Sequence, residues 1–232
     1  MELGVDAKMP ILKKNRVSSG VPDLDLILEG GYRNPGNIML IGPSGLEKAA
    51  FSYHFAASTG KSEMAFIICG NASPRDIKEK AATMGINLGH CRFIDCYSAT
   101  IGKAVPSENV TTIDGPSALN DISLAINEAI KASAGKRMKL VFDTLSTFLL
   151  YNSKDSMRKF LSVIEGRLKS AGATTLFLID EGVHERPLLS LIETGMDETY
   201  TLSDKGGKFF LKVPGVDIEI PVRMGPTGIN VL

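Results

Sequence analysis

Short apolar segments alternate with longer segments of helical periodicity over most of the chain. The apolar segments are mostly continuous, which is typical of strands buried on both faces of a sheet. Five of them predict strands: Asn37–Ile41, Met64–Cys69, Cys91–Cys96, Lys139–Phe142 and Thr174–Ile179. Four segments between them predict helices: Lys48–Ser58, Pro74–Met84, Ser117–Ser133 and Asp155–Ala171. This alternation predicts an α/β fold with a mainly parallel, doubly wound sheet.

The pattern changes near residue 181, after the fifth predicted strand. A short helix is predicted near Pro187–Glu193. Three strand-like segments separated by glycine-containing turns follow it: Glu198–Leu202, Lys208–Val213 and Val216–Val222. We expect these to be antiparallel strands added to one edge of the sheet. The chain shows no linker, so we expect a single domain over residues 1–232, in which residues 1–16 are an N-terminal extension.

The polar segment Tyr97–Pro116 is longer than most connections in compact domains. It predicts either a functional loop or a disordered one. Two alternatives therefore remain open for these twenty or so residues.

Composition and charge narrow the functional classes. The chain has 26 Lys+Arg and 26 Asp+Glu, so its formal net charge is zero and it has no overall attraction for nucleic acid or anionic membranes. The three cysteines lack metal-ligand spacing, which is typical of reduced, buried thiols in a cytoplasmic protein. The first residues do not resemble a signal peptide, and no apolar run is long enough to span a membrane. We therefore expect a cytoplasmic protein with no membrane partner.

The segment between the first predicted strand and the first predicted helix is the strongest candidate for chemistry. It reads Gly42-Pro43-Ser44-Gly45-Leu46-Glu47-Lys48-Ala49 and partly matches the phosphate-loop pattern G-x-x-x-x-G-K-[ST]. In such a loop, backbone N–H groups at a helix N-terminus surround phosphate groups and the lysine reaches the β- and γ-phosphates. We expect Gly42 and Gly45 to supply unusual backbone angles. These eight residues are the candidate nucleotide-binding set, with ATP as the candidate ligand.

Two residues of this loop depart from the pattern. Glu47 stands at the second glycine position and adds bulk and negative charge beside a polyanion. Ala49 stands where a hydroxyl normally ligates Mg²⁺, so Mg²⁺ binding should be weakened. Three alternatives follow: the remaining loop still binds nucleotide, the loop is retained only by packing, or the Glu47 carboxylate folds into the phosphate site and blocks it.

Residues 17–25 (V-S-S-G-V-P-D-L-D), followed by Gly30-Gly31, resemble the T-G-I-P-G-L-D…G-G segment of KaiC-like and RadA-like proteins of the RecA superfamily. The resemblance runs from about Val17 to the C-terminus and implies a RecA-like P-loop NTPase fold, in which residues 42–49 are a degenerate Walker A loop. Residues 140–146 (L-V-F-D-T-L-S) resemble the Walker B strand, which implies that Asp143 helps to hold Mg²⁺. The other interpretation is that Asp143 caps the next segment.

The resemblance also shows where catalytic groups are missing. The register of residues 73–77 (S-P-R-D-I) places the glutamate pair of KaiC-like enzymes at Asn71-Ala72, so the catalytic glutamate is absent. The K-x-R sequence near the C-terminal strands keeps Lys212, but Pro214 stands in place of the arginine. A carboxylate pair, Asp180-Glu181, lies at the ligand-binding edge of the sheet and is either a substitute base or a solvated loop.

These substitutions affect the phosphate-binding loop, the binding of Mg²⁺, the catalytic base and the arginine that reaches a neighbouring subunit. We therefore expect a catalytically degenerate RecA/KaiC-like protein with no catalytic residues of its own and with weak or no ATP binding. It would be a regulatory or assembly partner of its own copies or of a paralogous RecA-family ATPase. The alternative is an ATP-binding RadA-like recombinase paralogue that contacts DNA through the basic residues 13–16 (K-K-N-R). His54, on an apolar helix, is expected to be a packing residue.

Overall fold

A computed structural model describes residues 15–232. Its strands are β1 (Arg16–Val17), β2 (Tyr32–Arg33), β3 (Gly36–Gly42), β4 (Glu63–Cys69), β5 (Arg92–Asp95), β6 (Val110–Thr112), β7 (Arg137–Asp143), β8 (Thr174–Asp180), β9 (Glu198–Asp204), β10 (Phe209–Lys212), β11 (Glu219–Gly225) and β12 (Gly228–Val231). Its α-helices are α1 (Pro22–Ile27), α2 (Leu46–Ala57), α3 (Pro74–Thr83), α4 (Leu119–Ala132), α5 (Leu145–Tyr151), α6 (Lys154–Ser170) and α7 (Arg186–Glu193). Lys13 and Lys14 of the basic cluster lie outside the described residues.

Ten strands form one sheet in the order β12-β11-β10-β9-β3-β8-β7-β4-β5-β6. Every neighbouring pair from β9 to β6 is parallel, and the pairs from β9 to β12 are antiparallel. The predicted α/β architecture is therefore confirmed. Almost every residue of β3, β7 and β8 is buried, which explains why these strands read as continuous apolar segments.

The C-terminal strands differ from the prediction in direction and number. β9 pairs in parallel with β3, with Ile38 opposite Glu198, so the expectation of an antiparallel strand is wrong for β9, whereas the antiparallel C-terminal strands are confirmed from β10 onward. The crossover helix α7 lies between β8 and β9 and allows the chain to return in the same direction. The chain reverses only at β10. An unpredicted strand, β12, follows β11 through a tight hairpin in which Gly225 lies opposite Gly228.

The polar segment between β5 and α4 contains regular structure. A 3₁₀-helix covers Ser98–Ile101, and the edge strand β6 pairs in parallel with β5. Two short helices, α1 and α5, were also not predicted. They have six and seven residues, which is too short for a helical repeat to show in the sequence.

Side-chain caps set the start of α3 and α6. The Ser73 hydroxyl accepts a hydrogen bond from the Asp76 backbone N–H at 3.1 Å, and the Asp76 carboxylate accepts one from the Ser73 N–H at 3.3 Å. This reciprocal capping box begins α3 at the predicted residue. By contrast, Ala118 offers no side-chain cap, and α4 begins two residues later than predicted, at Leu119.

Helices cover both faces of the sheet. One apolar cluster joins the sheet to α1, α2 and α3, and a second joins it to α4, α5, α6 and α7. In the second cluster, Phe142 stacks on Phe177 at a centroid distance of 5.1 Å and meets Phe148 edge to face. No helix within residues 15–232 combines the length and apolar character needed to cross a membrane.

Lys139 is a buried cation that ties three elements together. It belongs to β7 and is 1% exposed. Its ammonium donates to the Ser18 carbonyl at 3.0 Å and, at the C-terminal end of α2, to the Ser58 carbonyl at 2.9 Å and the Ser58 hydroxyl at 2.8 Å. Burial lowers the pKa of Lys139 to about 8. Lys139 therefore connects β7 with the end of α2 and with the segment around Ser18 that precedes α1.

His54 joins α2 to the edge strand β12. Its Nε2 accepts a hydrogen bond from the Ile229 backbone N–H at 3.1 Å. Burial lowers the pKa of His54 below its usual value of 6.5, because the charged ring loses solvation there, and a hydrogen bond with the Gly20 backbone only partly opposes this. The half-buried ring thus has the packing role expected from the sequence.

The protein is expected to lose stability on acidification through His54. Because the folded-state pKa is lowered, the unfolded chain binds this proton more readily, and the stability present above about pH 6.5 is lost as pH falls through the folded-state value. Urea unfolding at a neutral and a mildly acidic pH should show this loss, and His54→Gln should reduce it. His90→Gln, at an exposed histidine, is the matched control. Equal acid sensitivity in wild type and His54→Gln would contradict this role.

Candidate functional site

A cleft of about 710 Å³ lies at the carboxyl ends of the central parallel strands. The loop between β3 and α2 forms one side, and one face of α3, from Asp76 to Thr83, forms the other. The cleft is lined by Ser44, Gly45, Leu46, Lys48, Ala49, Tyr53, Asn71, Ala72, Asp76, Glu79, Lys80, Thr83, Asp143, Thr144, Leu178 and Asp180. The structure therefore brings the predicted loop and the predicted metal-binding residue, Asp143, to one place.

The two glycines of the loop do not have the roles predicted for them. Neither lies in the left-handed region: Gly45 has φ 168°, an extended conformation that any residue adopts. Gly42 is required for space, because a Cβ there would lie 2.8 Å from the Leu202 Cβ on β9. The expectation of unusual backbone angles is wrong, and Gly42 instead permits close packing of β3 against β9.

Lys48 lines the cleft, but its ammonium is held by protein acceptors. Its ammonium donates to the Gly42 carbonyl at 3.2 Å, to the Ile179 carbonyl at 2.9 Å and to the Asp180 carboxylate, with which it forms an ion pair. The residue is 3% exposed. Since an ammonium has three donors, all of them are engaged by protein acceptors.

Asp180 is the counter-ion of Lys48. The Ser44 hydroxyl also donates to its carboxylate, at 2.7 Å. Burial alone would raise the pKa of Asp180, but the hydrogen bonds from Lys48 and Ser44 outweigh it and hold the pKa below its usual value. Its neighbour Glu181 is exposed. Of the pair considered as a substitute base, one carboxylate therefore binds the loop lysine and the other faces solvent.

Asp143 ends β7 on the wall of the cleft. It is 8% exposed, and burial raises its pKa to about 6, an effect that the charges of Lys48 and Lys80 partly oppose. The interpretation of Asp143 as a cap is wrong, because Thr144 caps α5 by accepting a hydrogen bond from the Ser146 N–H at 3.3 Å. Within residues 15–232 no donor is hydrogen-bonded to the Asp143 carboxylate, so it can accept a proton or a cation.

Glu47 and Ala49, the two residues that depart from the phosphate-loop pattern, lie in different surroundings. Glu47 is half-buried at the start of α2, and its side chain turns back over the loop: Oε2 lies 2.9 Å from where a Cβ on Gly45 would be. Ala49 faces the cleft with a methyl group. Thr144 also lines the cleft and follows Asp143 directly in the sequence, so its hydroxyl is the nearest one along the chain. That hydroxyl donates a hydrogen bond to the Leu178 carbonyl at 2.7 Å. The Glu47 carboxylate thus lies against Gly45, outside the lining of the cleft, and the usual metal-binding hydroxyl is missing.

The cleft carries more negative than positive side chains. Its lining includes four carboxylates, on Asp76, Glu79, Asp143 and Asp180, and two ammonium groups, on Lys48 and Lys80. Such a balance opposes binding of a polyphosphate without accompanying cations. In the described part of the chain, no cluster of three or more His, Cys, Asp or Glu side chains is arranged to hold a metal ion. These residues therefore do not fit an Mg²⁺ ion held by protein ligands alone.

Several residues singled out from the sequence lie elsewhere. Asn71 lines the cleft as an exposed amide, but Lys212 lies on β10 opposite Thr201 and Glu219 and is absent from the cleft lining. Arg16, from the basic cluster, donates to the Gly31 carbonyl at 3.1 Å and forms an ion pair with Glu198. Arg16 is therefore part of the fold and is not free to contact a phosphate backbone.

Tyr53 and Lys80 line the cleft and were not predicted. Tyr53, on α2, is buried, and burial together with the charge of Asp143 raises its phenol pKa. Lys80 shares one face of α3 with Asp76 and Thr83, at helical spacing. That spacing, read from the capped start of α3, was the signal available in the sequence for Lys80.

Comparisons with known proteins show which family this sequence resembles. The family model described as the KaiC ATPase matches residues 17–193. A UPF0273 protein of Pyrococcus horikoshii is 29% identical over 182 residues, which cover 74% of this chain and 70% of that protein. The circadian clock oscillator protein KaiC of Parasynechococcus marenigrum is 26% identical over 167 residues, covering 71% of this chain and 32% of the clock protein.

A solved structure shows the same fold. The crystal structure of a KaiC-like protein from Pyrococcus horikoshii superposes with a TM-score of 0.73 at 20% identity, and the match covers 94% of this chain and 99% of that one. The matched region of the family model includes the loop, Asp143 and Asp180. Because the family model matches more than half of the sequence, the chain belongs to the KaiC family of RecA-superfamily ATPase domains.

Proposed function

We propose that this chain is a catalytically degenerate KaiC-family domain that binds ATP weakly or not at all and acts as a regulatory or assembly partner. The observation that carries the proposal is the capture of Lys48 by Asp180. A phosphate loop depends on a free lysine to neutralise the β- and γ-phosphates. Here, nucleotide binding has to break a buried ion pair before the lysine can reach a phosphate.

Three further features support the loss of catalysis. The hydroxyl that would ligate Mg²⁺ is replaced by the Ala49 methyl group. Asn71 is an amide, so it offers no carboxylate base to the attacking water. Pro214 stands in place of the arginine of the K-x-R sequence, so that cation is not available to a neighbouring subunit. Phosphoryl transfer depends on positioning and charge stabilisation by these parts together, so their combined loss should abolish turnover.

The partner role is supported by exposed apolar side chains on α5. Leu150 and Tyr151 are 66% and 64% exposed at the end of this helix. Exposed apolar groups that adjoin one another are typical of surfaces that bind other proteins. We propose that the partner is a further copy of this chain or a paralogous RecA-family ATPase, in the cytoplasm.

A nucleotide titration with and without Mg²⁺, followed by a hydrolysis assay, tests the proposal. We expect ATP binding no tighter than millimolar, little strengthening by Mg²⁺ and no turnover above background. Sedimentation of the same samples should show an assembly state that does not change when ATP is added. Lys48→Ala is the matched variant, and it should change none of these results. Turnover that Lys48→Ala abolishes would overturn the proposal.

A further inference from the structure

Another cavity, of about 1050 Å³, lies between α3 and the loop that joins β5 to β6. The first two turns of α3 form one wall, and the 3₁₀-helix at Ser98–Ile101 with the residues after it forms the other. This loop belongs to the polar segment whose role the sequence left open. Asp76 and Glu79 line both this cavity and the phosphate-loop cleft, so α3 separates the two. The volume is comparable with that of the largest small-molecule sites.

Two polar side chains in the lining of this cavity are almost fully buried and are only partly satisfied. Asp95 and Ser98 are both 3% exposed. The Asp95 Oδ1 atom accepts hydrogen bonds from the Tyr97 and Ser98 backbone N–H groups, at 3.0 and 2.9 Å. The Asp95 Oδ2 atom and the Ser98 hydroxyl have no hydrogen-bond partner within residues 15–232.

The Asp95 Oδ2 atom and the Ser98 hydroxyl can be reached from the cavity. Within residues 15–232, the unpartnered polar side-chain atoms that are completely enclosed by protein are Asn37 Oδ1, Thr175 Oγ1 and His184 Nε2. The two atoms of the cavity are not among them, so each keeps some accessible surface. Burial of a carboxylate oxygen and a hydroxyl without partners is unfavourable, so a ligand that donates hydrogen bonds to both is favoured.

The other unengaged charges around the cavity are cations. Lys103 is exposed on the loop and forms no ion pair with any residue of 15–232. Lys78, on α3, lies over the Phe93 ring with its ammonium 4.8 Å from the ring centroid, and it has no carboxylate partner among the described residues. The remaining charged side chains of the lining are engaged with protein groups: Arg75, Asp76 and Glu79. A buried carboxylate and two free ammonium groups therefore share this cavity.

Apolar side chains of the loop supply a third feature of the cavity. Ile101 and Val105 are 45% and 74% exposed, and both belong to the lining. Val110, on the edge strand β6, and Pro74, at the start of α3, line it as well. An apolar group bound here would remove these side chains from water, which favours binding in proportion to the area covered.

We propose that this cavity binds a free α-amino acid with an aliphatic side chain. Its ammonium group donates to the Asp95 Oδ2 atom and the Ser98 hydroxyl, its carboxylate lies at Lys78 and Lys103, and its side chain contacts the apolar residues of the loop. The ammonium has three donors for these two acceptors. The lining holds three cations and three anions, so a ligand without net charge preserves the balance. This site is independent of whether the phosphate loop binds nucleotide.

Three probes with one aliphatic body test the two charges of the ligand. Leucine carries both charges, 3-methylbutylamine lacks the carboxylate, and 4-methylpentanoate lacks the ammonium group. We expect leucine to bind saturably and to shift the Ser98 and Gly102 amide resonances, and each of the other two to bind at least about tenfold more weakly. Glycine, which lacks the aliphatic body, should also bind more weakly than leucine. Equal affinity for the three aliphatic probes, or no binding of leucine at millimolar concentration, would overturn the proposal.

Variants of Asp95 and Lys103 test the named groups. Asp95→Asn keeps an oxygen that can accept from the Tyr97 and Ser98 N–H groups but removes the charge, and it should weaken leucine at least about tenfold. Lys103→Gln, at an exposed loop position, should weaken leucine at least about threefold and leave 3-methylbutylamine unchanged, because that probe has no carboxylate. Lys208→Gln, at an exposed lysine before β10, is the matched control. If Lys103→Gln binds leucine as tightly as Lys208→Gln does, or Asp95→Asn as tightly as wild type, the proposal fails.

Discussion

Replacing Gly20 by alanine is expected to destabilise the fold by about 3 kcal/mol. Gly20 has φ +85°, a conformation that L-residues with a side chain rarely adopt. A Cβ at this position would also lie 2.1 Å from the backbone oxygen of His54 and 2.4 Å from its carbonyl carbon. Because those atoms belong to α2, the clash cannot be relieved by rotating a side chain. The glycine that carried the family resemblance thus marks where the upstream segment lies directly on the phosphate-loop helix.

Gly102 allows the two causes of the lost stability, the backbone conformation and the steric clash, to be measured separately. Gly102 has φ +66°, but no atom lies within 4 Å of where its Cβ would be. Gly102→Ala should therefore lose only the backbone preference, about 1 kcal/mol. Free energies of unfolding in urea for wild type and the two variants give the comparison. If both variants lose the same amount, the close contact with α2 contributes nothing, and this explanation of Gly20 is wrong.

Asp180→Asn is expected to raise the affinity of the loop for ATP at least about tenfold. The substitution removes the charge that holds Lys48 inside the protein, and it reduces the surplus of carboxylates around the cleft. Lys48 is then free to reach a phosphate group, because its remaining acceptors are the neutral carbonyls of Gly42 and Ile179. Calorimetric titration without Mg²⁺ measures the lysine contribution separately from metal binding.

Two further variants provide comparisons for the ATP affinity of Asp180→Asn. Glu181→Gln removes a neighbouring exposed carboxylate and should leave the affinity unchanged. Glu47→Gly removes the carboxylate that lies over Gly45 and should raise the affinity less than Asp180→Asn, since Glu47 does not bind the lysine. Unchanged ATP affinity in Asp180→Asn would mean that capture of Lys48 does not limit binding, and an increase only in Glu47→Gly would favour direct blocking by Glu47.

The central fold could be predicted from the sequence because its strands are buried on both faces. Segments such as Thr174–Ile179 are apolar without interruption, and the helices between them begin at recognisable caps such as Ser73. The strands β6 and β12 were missed because they carry only one and two apolar side chains, whereas β10, also of four residues, carries three. The direction of β9 was wrong because a strand's sequence does not state which neighbour it pairs with; α7 decides that by returning the chain.

The candidate site was predictable only in part. The loop and Asp143 could be assigned to one edge of the sheet, because both follow buried parallel strands. The pairing of Lys48 with Asp180 depends on β3 and β8 being neighbours in register, Gly42 opposite Asp180, and no local pattern reveals that register.

The phosphate-loop helix is anchored at both ends. Lys48 ties its first turn to the end of β8, and Lys139 on β7 holds its last carbonyls. A cation at that end also offsets the partial negative charge of the helix C-terminus. Because each end is fixed to a different central strand, movement of α2 along its axis would have to break the hydrogen bonds of both lysines. A displacement of the loop would therefore also disturb Asp180, at the point where the chain leaves β8 toward α7.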